Sequence, residues 1–400
     1  MIKADQRKEI LKRERSTIYS NGEPLLGSYY TEEEIDVVVK TIRASMDPSV
    51  GFGFMVEEIH NFEREFADFC GTKHCISING AGTGLDMAMM ALDLEPGDEV
   101  IVPAINFKAQ AMSVIGQRGK VIWCDVDERT FQADPEDVEQ RITSRTRAIY
   151  PVHMNGLSAP MDNLLDIAER YPHPKHGPLK VIGDAARACG GGYKDTRIGK
   201  KGWMTVFSFH TQKNMTTLGE GGAITTDDDQ LIDRLKAIRQ FGGGYGWGTN
   251  YKMTKVQAAV GSVQVRRLKG MVEGRRRVAH ERSKLLQGVP ELTLPYEPPD
   301  CEHSFYLYTC LVPEDWAGKK RDRLMKMMSE EYGVGCCVAN PPQYIQVPFL
   351  REMTPGQDLP RSNKLAARLF CVSIHPLMTT EHNEYVCAAL LETIERIRND

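Results

Sequence analysis

Between residues 70 and 226, short apolar runs alternate with helical patterns, and this alternation limits the possible folds more than any other feature of the chain. The runs are Cys75–Ile78, Val100–Val102, Val121–Asp125, Ala148–Val152, Lys180–Gly183, Met204–Phe209 and Ala223–Thr225. They are rich in Val and Ile and short enough to be buried strands. Helical patterns separate them. Leu85, Met89 and Leu92 line one helix face, Asp134-Pro135-Glu136 reads as a helix start, and Leu231, Leu235 and Ile238 mark a further amphipathic helix. The expected class is α/β, a mostly parallel sheet sandwiched by helices, with its ligand at the C-terminal ends of the strands.

The pattern changes near residue 265. Arg266–Gln287 reads as one long basic helix whose charge run is expected to be solvated, followed by the Pro-rich stretch Pro290–Pro299 and a mixed α/β region. A chain of 400 residues is too long for one small core. The expected division is an N-terminal segment (1–30) packing on the small domain, a large domain (31–269) and a small C-terminal α/β domain (270–400).

Charge excludes some partners. The formal net charge of −4 gives no reason to expect nucleic acid or an anionic membrane. No apolar run reaches the roughly 20 residues of a membrane helix, and the charged N-terminus lacks the apolar core of a signal peptide. A cytoplasmic location is expected. None of the ten cysteines forms a C-x-x-C pair, so buried reduced thiols are expected. The histidines show no metal-binding spacing, and His173 and His176 read as loop residues.

Four constellations could carry chemistry. Asn79-Gly80-Ala81-Gly82-Thr83-Gly84 follows one strand and opens a helix. Such a turn offers backbone N–H groups and a helix dipole to an anion, or is a plain strand–helix turn. Asp184 ends an apolar strand; buried there it needs a partner such as a cationic ring nitrogen, unless it only caps the next turn. Lys213 follows the apolar Phe207-Ser208-Phe209 and precedes Gly219-Glu220-Gly221-Gly222. A lysine in a low-dielectric site loses its proton readily and can form a Schiff base. Last, Phe241–Met253 holds five glycines within seven residues, a pliant loop able to run close to another surface.

Together these motifs resemble the DegT/StrS sugar aminotransferases among the fold-type I enzymes dependent on pyridoxal 5′-phosphate (PLP). The resemblance spans Pro24 to about Thr393 and includes Thr31-Glu-Glu-Glu-Ile, Phe62-Glu-Arg-Glu-Phe-Ala, Val102-Pro103, Asp125-Val-Asp127, Val152-His153, Gly183-Asp184-Ala-Ala and the Phe-Ser-Phe…Lys segment. It implies that Lys213 holds PLP and that Asp184 partners the pyridine nitrogen. It implies that Gly82, Thr83 and Ser208 contact the phosphate and that Phe107 stacks on the ring. Asn250 is implied to reach the phosphate of a neighbouring subunit, hence a homodimer with shared active sites.

Where the family commonly has Gln or His, this chain has Arg187, which is expected to hold the phenolic oxygen of PLP or to reach an anionic substrate group. The segment Asn340–Gln346 and His375 are expected to border the acceptor pocket. The implied reaction moves an amino group from glutamate or glutamine, through the pyridoxamine form (PMP), to a keto-sugar or keto-cyclitol in amino-sugar or antibiotic biosynthesis. A sugar dehydratase and a non-catalytic PLP-binding regulator are the alternatives. Related dehydratases replace the lysine with histidine; here Lys213 holds that position, with His210 nearby.

Overall fold

The computed structural model describes residues 2–339 and 341–399. Each apolar run becomes a strand of one seven-stranded sheet: β1 His74–Ile78, β2 Glu99–Pro103, β3 Lys120–Cys124, β4 Thr146–Ile149, β5 Lys180–Asp184, β6 Met204–Ser208 and β7 Gly222–Thr226. Their order is β1-β7-β6-β5-β4-β2-β3. Only β7 is reversed, antiparallel to both β1 and β6; the other neighbours run parallel. Strand β4 stops short of the apolar run Ala148–Val152. Pro151 has no N–H to give the ladder, and Val152 rejoins it through a single bridge to Asp184.

Val100 and Val102 enter one hydrophobic cluster while Ile101 enters another, and Val206 and Phe207 divide in the same way. Both faces are therefore buried, which is why the strands read as continuous apolar runs rather than as polar–apolar alternation.

The principal helices are α1 Ala4–Ile10, α2 Glu32–Ala44, α3 Glu57–Cys70, α4 Ala81–Leu92, α5 Asp229–Arg239, α6 Lys255–Leu286, α7 Lys319–Tyr332 and α8 Thr380–Asn399. A short helix at Pro135–Gln140 begins as its sequence predicts, with Asp134 accepting from the Glu136 N–H at 3.0 Å. The basic helix starts earlier than Arg266. Thr254 caps it in a reciprocal arrangement with Gln257, and it then runs unbroken through residues 269 and 270. Along its length α6 passes from the cluster beneath the sheet (Val265, Leu268, Val272) to the C-terminal cluster (Val278, Leu286).

The expectation of a solvated charge run fails at Arg275 and Arg282, which are fully buried. Main-chain carbonyls replace water around both guanidinium groups: Arg275 donates to those of Gly27, Phe305, Tyr306 and Ile374, and Arg282 to those of Val372 and Ser373.

The C-terminal part contains an antiparallel sheet of β8 Tyr308–Leu311, β9 Cys336–Cys337 and β10 Leu369–Val372, with β10 central. Ile2, Ile10 and Tyr19 share its cluster with Phe370, Leu390 and Ile394. The cysteines are free, most of them buried, Cys124 and Cys189 included. Among the described residues no helix is long and apolar enough to cross a membrane.

Candidate active site

The parallel strands end at a cleft of about 380 Å³ lined by Gly82, Phe107, Asp184, Arg187, Ser208 and Lys213, with Glu23, His210 and Glu220 at the same cavity. The ends of five strands build it: the β1–α4 turn, the turn after β2, Val152 after β4, Asp184–Arg187 at the end of β5, and the return from β6 to β7. This last connection holds Lys213. Hydrogen bonds from Phe209 N to Gly221 O (2.8 Å) and from Thr217 N to Phe209 O (3.1 Å) fold it back on itself. Gly221 at φ +151° permits this, since a Cβ there would lie 1.9 Å from the Thr217 hydroxyl.

The Lys213 amine is desolvated. Burial pushes its pKa down to about 7, Arg187 adds to the fall, and Glu23, Asp184 and Glu220 oppose it. Asp184 ends β5 almost fully buried and accepts from the Ala186 N–H at 3.0 Å. Burial raises its pKa, while the Ala186 bond, Lys213 and Arg187 pull it back. Among the described residues no cation pairs directly with this buried carboxylate, a role a protonated ring nitrogen would fill.

At the start of α4, Gly80 offers no side-chain cap, so the first-turn N–H groups remain for an anion. A Cβ at Gly82 would meet nothing within 4 Å, so the space above that turn is open. Ser208 lies buried beside it, its hydroxyl accepting from His210 N at 3.3 Å.

Arg187 is buried with Nη1 unpartnered, and its Nη2 lies 3.6 Å from Glu23 Oε1. A buried guanidinium with donors to spare marks a place for an oxygen anion. These features fit PLP: an amine for its aldehyde, an acid for its ring nitrogen, a helix start for its phosphate and a cation for its phenolate.

Other expected residues stand differently. Phe107 lines the cleft and is 53% exposed. The Thr83 hydroxyl turns away from the cleft to Asn79 Oδ1 (2.8 Å) and Gly80 O (2.6 Å), leaving its N–H as the group at the turn. Asn250 is exposed on a loop outside the cleft of its own chain. His375 does not border the cleft: it is buried, and its Nε2 binds Ser28 O at 3.0 Å. Asn340 lies outside the described residues. Of the segment after it, Gln343 ties back to Ala104 O, and Tyr344 packs by Trp123, away from the cleft.

Sequence reasoning missed Glu23 and Tyr306. Glu23 reaches the cleft on the N-terminal strap. There Gly27 N donates to Thr211 O, and a Cβ at Gly27 would sit 2.0 Å from the Gln212 carbonyl oxygen. The Tyr306 hydroxyl lies 3.2 Å from Lys213 Nζ. No local sequence signal marks either residue.

A lysine and an aspartate line one cleft at the C-terminal edge of this sheet, an arrangement that fits a fold-type I PLP enzyme. Residues 32–391 match the DegT/DnrJ/EryC1/StrS aminotransferase family, and the chain belongs to it. It is 36% identical over 324 residues to the GDP-perosamine synthase of Caulobacter vibrioides, covering 79% of this chain and 84% of that protein. It is 31% identical over 390 residues to the spore coat polysaccharide biosynthesis protein SpsC of Bacillus subtilis, covering 93% and 96%. Among solved structures, DesV of Streptomyces venezuelae superposes with a TM-score of 0.80 at 30% identity, over 90% of this chain and 95% of that one. The protein is a PLP-dependent sugar aminotransferase whose family reaction serves amino-sugar biosynthesis.

Proposed function

We propose that this enzyme transfers an amino group from glutamate or glutamine to a keto-sugar or keto-cyclitol, with Lys213 as the covalent and proton-moving residue. The carrying observation is the Lys213 amine, with a pKa of about 7, facing the same cleft as the buried Asp184.

Bound PLP supplies an electron sink for the carbanion formed at the donor α-carbon. Asp184 would place its carboxylate where a ring nitrogen must stay protonated. With PLP bound, Lys213 would be the residue that takes and returns a proton at Nζ; a pKa of about 7 suits both directions. Gly82, the Thr83 N–H and Ser208 would hold its phosphate, Phe107 would cover its ring, and Arg187 would face its phenolate. The acceptor half-reaction uses the same groups in reverse.

A homodimer with shared sites fits the exposed loop residues. Phe241, Tyr245 and Trp247 lie exposed on the loop that ends at Asn250, and Phe54 is exposed elsewhere on the surface. Apolar exposure of this kind suits cover by a second copy, and Asn250 then reaches the neighbouring phosphate.

The test is to load the protein with PMP and screen keto-sugars, nucleotide-linked and free, by mass spectrometry. A mass gain matching replacement of a carbonyl by an amine supports the reading; a deoxygenated product, or none from any keto-sugar, contradicts it.

A further inference from the structure

Phe305 occupies the left-handed region at φ +46°, a conformation that costs a non-glycine residue about 1 kcal/mol or more. The surroundings hold it there. His303 Nδ1 accepts from Phe305 N at 2.9 Å, and the two rings stack with centroids 4.0 Å apart. Arg275 donates to both the Phe305 and Tyr306 carbonyls. On the other side Ser304 N donates to Gly156 O (2.9 Å) and Leu307 N to Asn155 O (3.1 Å). Gly156, at φ +105°, lies so close that a Cβ there would come 2.6 Å from the Ser304 hydroxyl and 2.8 Å from Tyr306 N.

All of this restraint fixes one side chain. Tyr306 is buried behind Lys213, with its hydroxyl oxygen accepting from Lys213 Nζ at 3.2 Å and its ring centroid 4.7 Å from that nitrogen. Arg187 lies over the same ring at 5.1 Å. Burial raises the Tyr306 pKa, so it remains a neutral phenol across the working range.

We propose that Tyr306 is the positioning residue for Lys213: its hydroxyl and ring face form the seat that the lysine amine occupies whenever that amine is not covalently engaged. The proposal rests on Lys213 being the reacting amine. An unseated lysine would sample many rotamers, and each turnover would wait for its return; a seat within reach of the cleft shortens that search. The seat also offers an oxygen acceptor and a π face to the charged form, against the desolvation that drives it off.

The test uses Tyr306→Phe, which keeps the ring and removes the hydroxyl. In cofactor-free protein, competitive acetylation of amines across a pH series, read by peptide mass spectrometry, reports the Lys213 midpoint. With its acceptor gone, the ammonium is less favoured, and the midpoint is expected to fall by about half to one unit. Tyr306→His, which restores a polar atom, is expected to recover part of the shift and serves as the second variant if Phe does not fold. In loaded protein, single-turnover conversion with α-deuterated L-glutamate is expected to slow about tenfold in Tyr306→Phe, the primary isotope effect rising while half-saturation holds.

An unmoved midpoint and an unmoved isotope effect in a folded Tyr306→Phe protein would overturn the proposal. Normal turnover in Lys213→Ala would instead sink the reading of Lys213 itself. The two failures are distinguishable because the acetylation midpoint needs neither cofactor nor substrate.

Discussion

Arg275, fully buried in α6, donates through Nη2 to the carbonyl of Gly27, fastening the N-terminal strap beside the loop that carries Lys213. The same guanidinium reaches the carbonyls of Phe305, Tyr306 and Ile374. Arg275→Met strands these acceptors in the interior. The expected loss of stability is about 3 kcal/mol, at the level of a broken buried charged network. Urea unfolding of the variant beside wild type measures it, and an unchanged midpoint would refute the clamp.

Gly27 itself has no room for a side chain, because a Cβ would meet the backbone of Gln212 and Lys213 rather than a movable side chain. Gly27→Ala is expected to displace the strap or the lysine loop, costing about 1–3 kcal/mol. Thermal unfolding and the absorbance of the lysine-bound cofactor together report which of the two yields.

The depressed Lys213 pKa has a stability signature. In cofactor-free protein the native lysine has its midpoint near 7, against 10.5 for an unperturbed lysine. Between those values the unfolded chain binds more protons, so native stability rises with pH there. Lys213→Met removes this group, and its stabilising effect is expected to be full below pH 7 and to vanish by about pH 10.5. Chemical denaturation of both proteins across that range checks the trend; a gain that grows with pH would contradict the desolvated amine.

Asp184→Asn keeps the shape and the Ala186 hydrogen bond while removing the charge proposed to face the ring nitrogen. The expected result is a protein that still takes up PLP but turns over about 100-fold or more slowly, the scale of losing one preorganised electrostatic group. Steady-state rates with a fixed donor measure it.

Shared sites predict complementation. Lys213→Ala and Asn250→Ala homodimers are each impaired, but an exchanged mixture contains heterodimers with one intact site of two. Equal mixing is then expected to recover about a quarter of wild-type activity. No recovery, with exchange verified by mass, would rule out the role of Asn250 across an interface.

The sheet was legible because a strand buried on both faces must be apolar throughout, and the Val/Ile runs announce that directly. The placement of Lys213 and Asp184 in one cleft was legible because a charged residue at the end of such a run needs a reason to be there. Tyr306 and Glu23 were hidden: Tyr306 reaches Lys213, and Glu23 the cleft beside Arg187, across long stretches of sequence, and nothing in His303–Tyr308 or near Glu23 marks them. Arg275 and Arg282 read as solvated because the carbonyls that replace their water lie up to 248 residues away. His375 reads as a pocket residue, but it spends its imidazole on the Ser28 carbonyl, away from the cleft.

The most direct measurement is borohydride reduction of the PLP-loaded protein followed by peptide mass spectrometry. A single pyridoxyl addition is expected, on the peptide that contains Lys213. The label on a different lysine, such as Lys108 beside Phe107, or no label on a protein that still transfers amino groups, would contradict it.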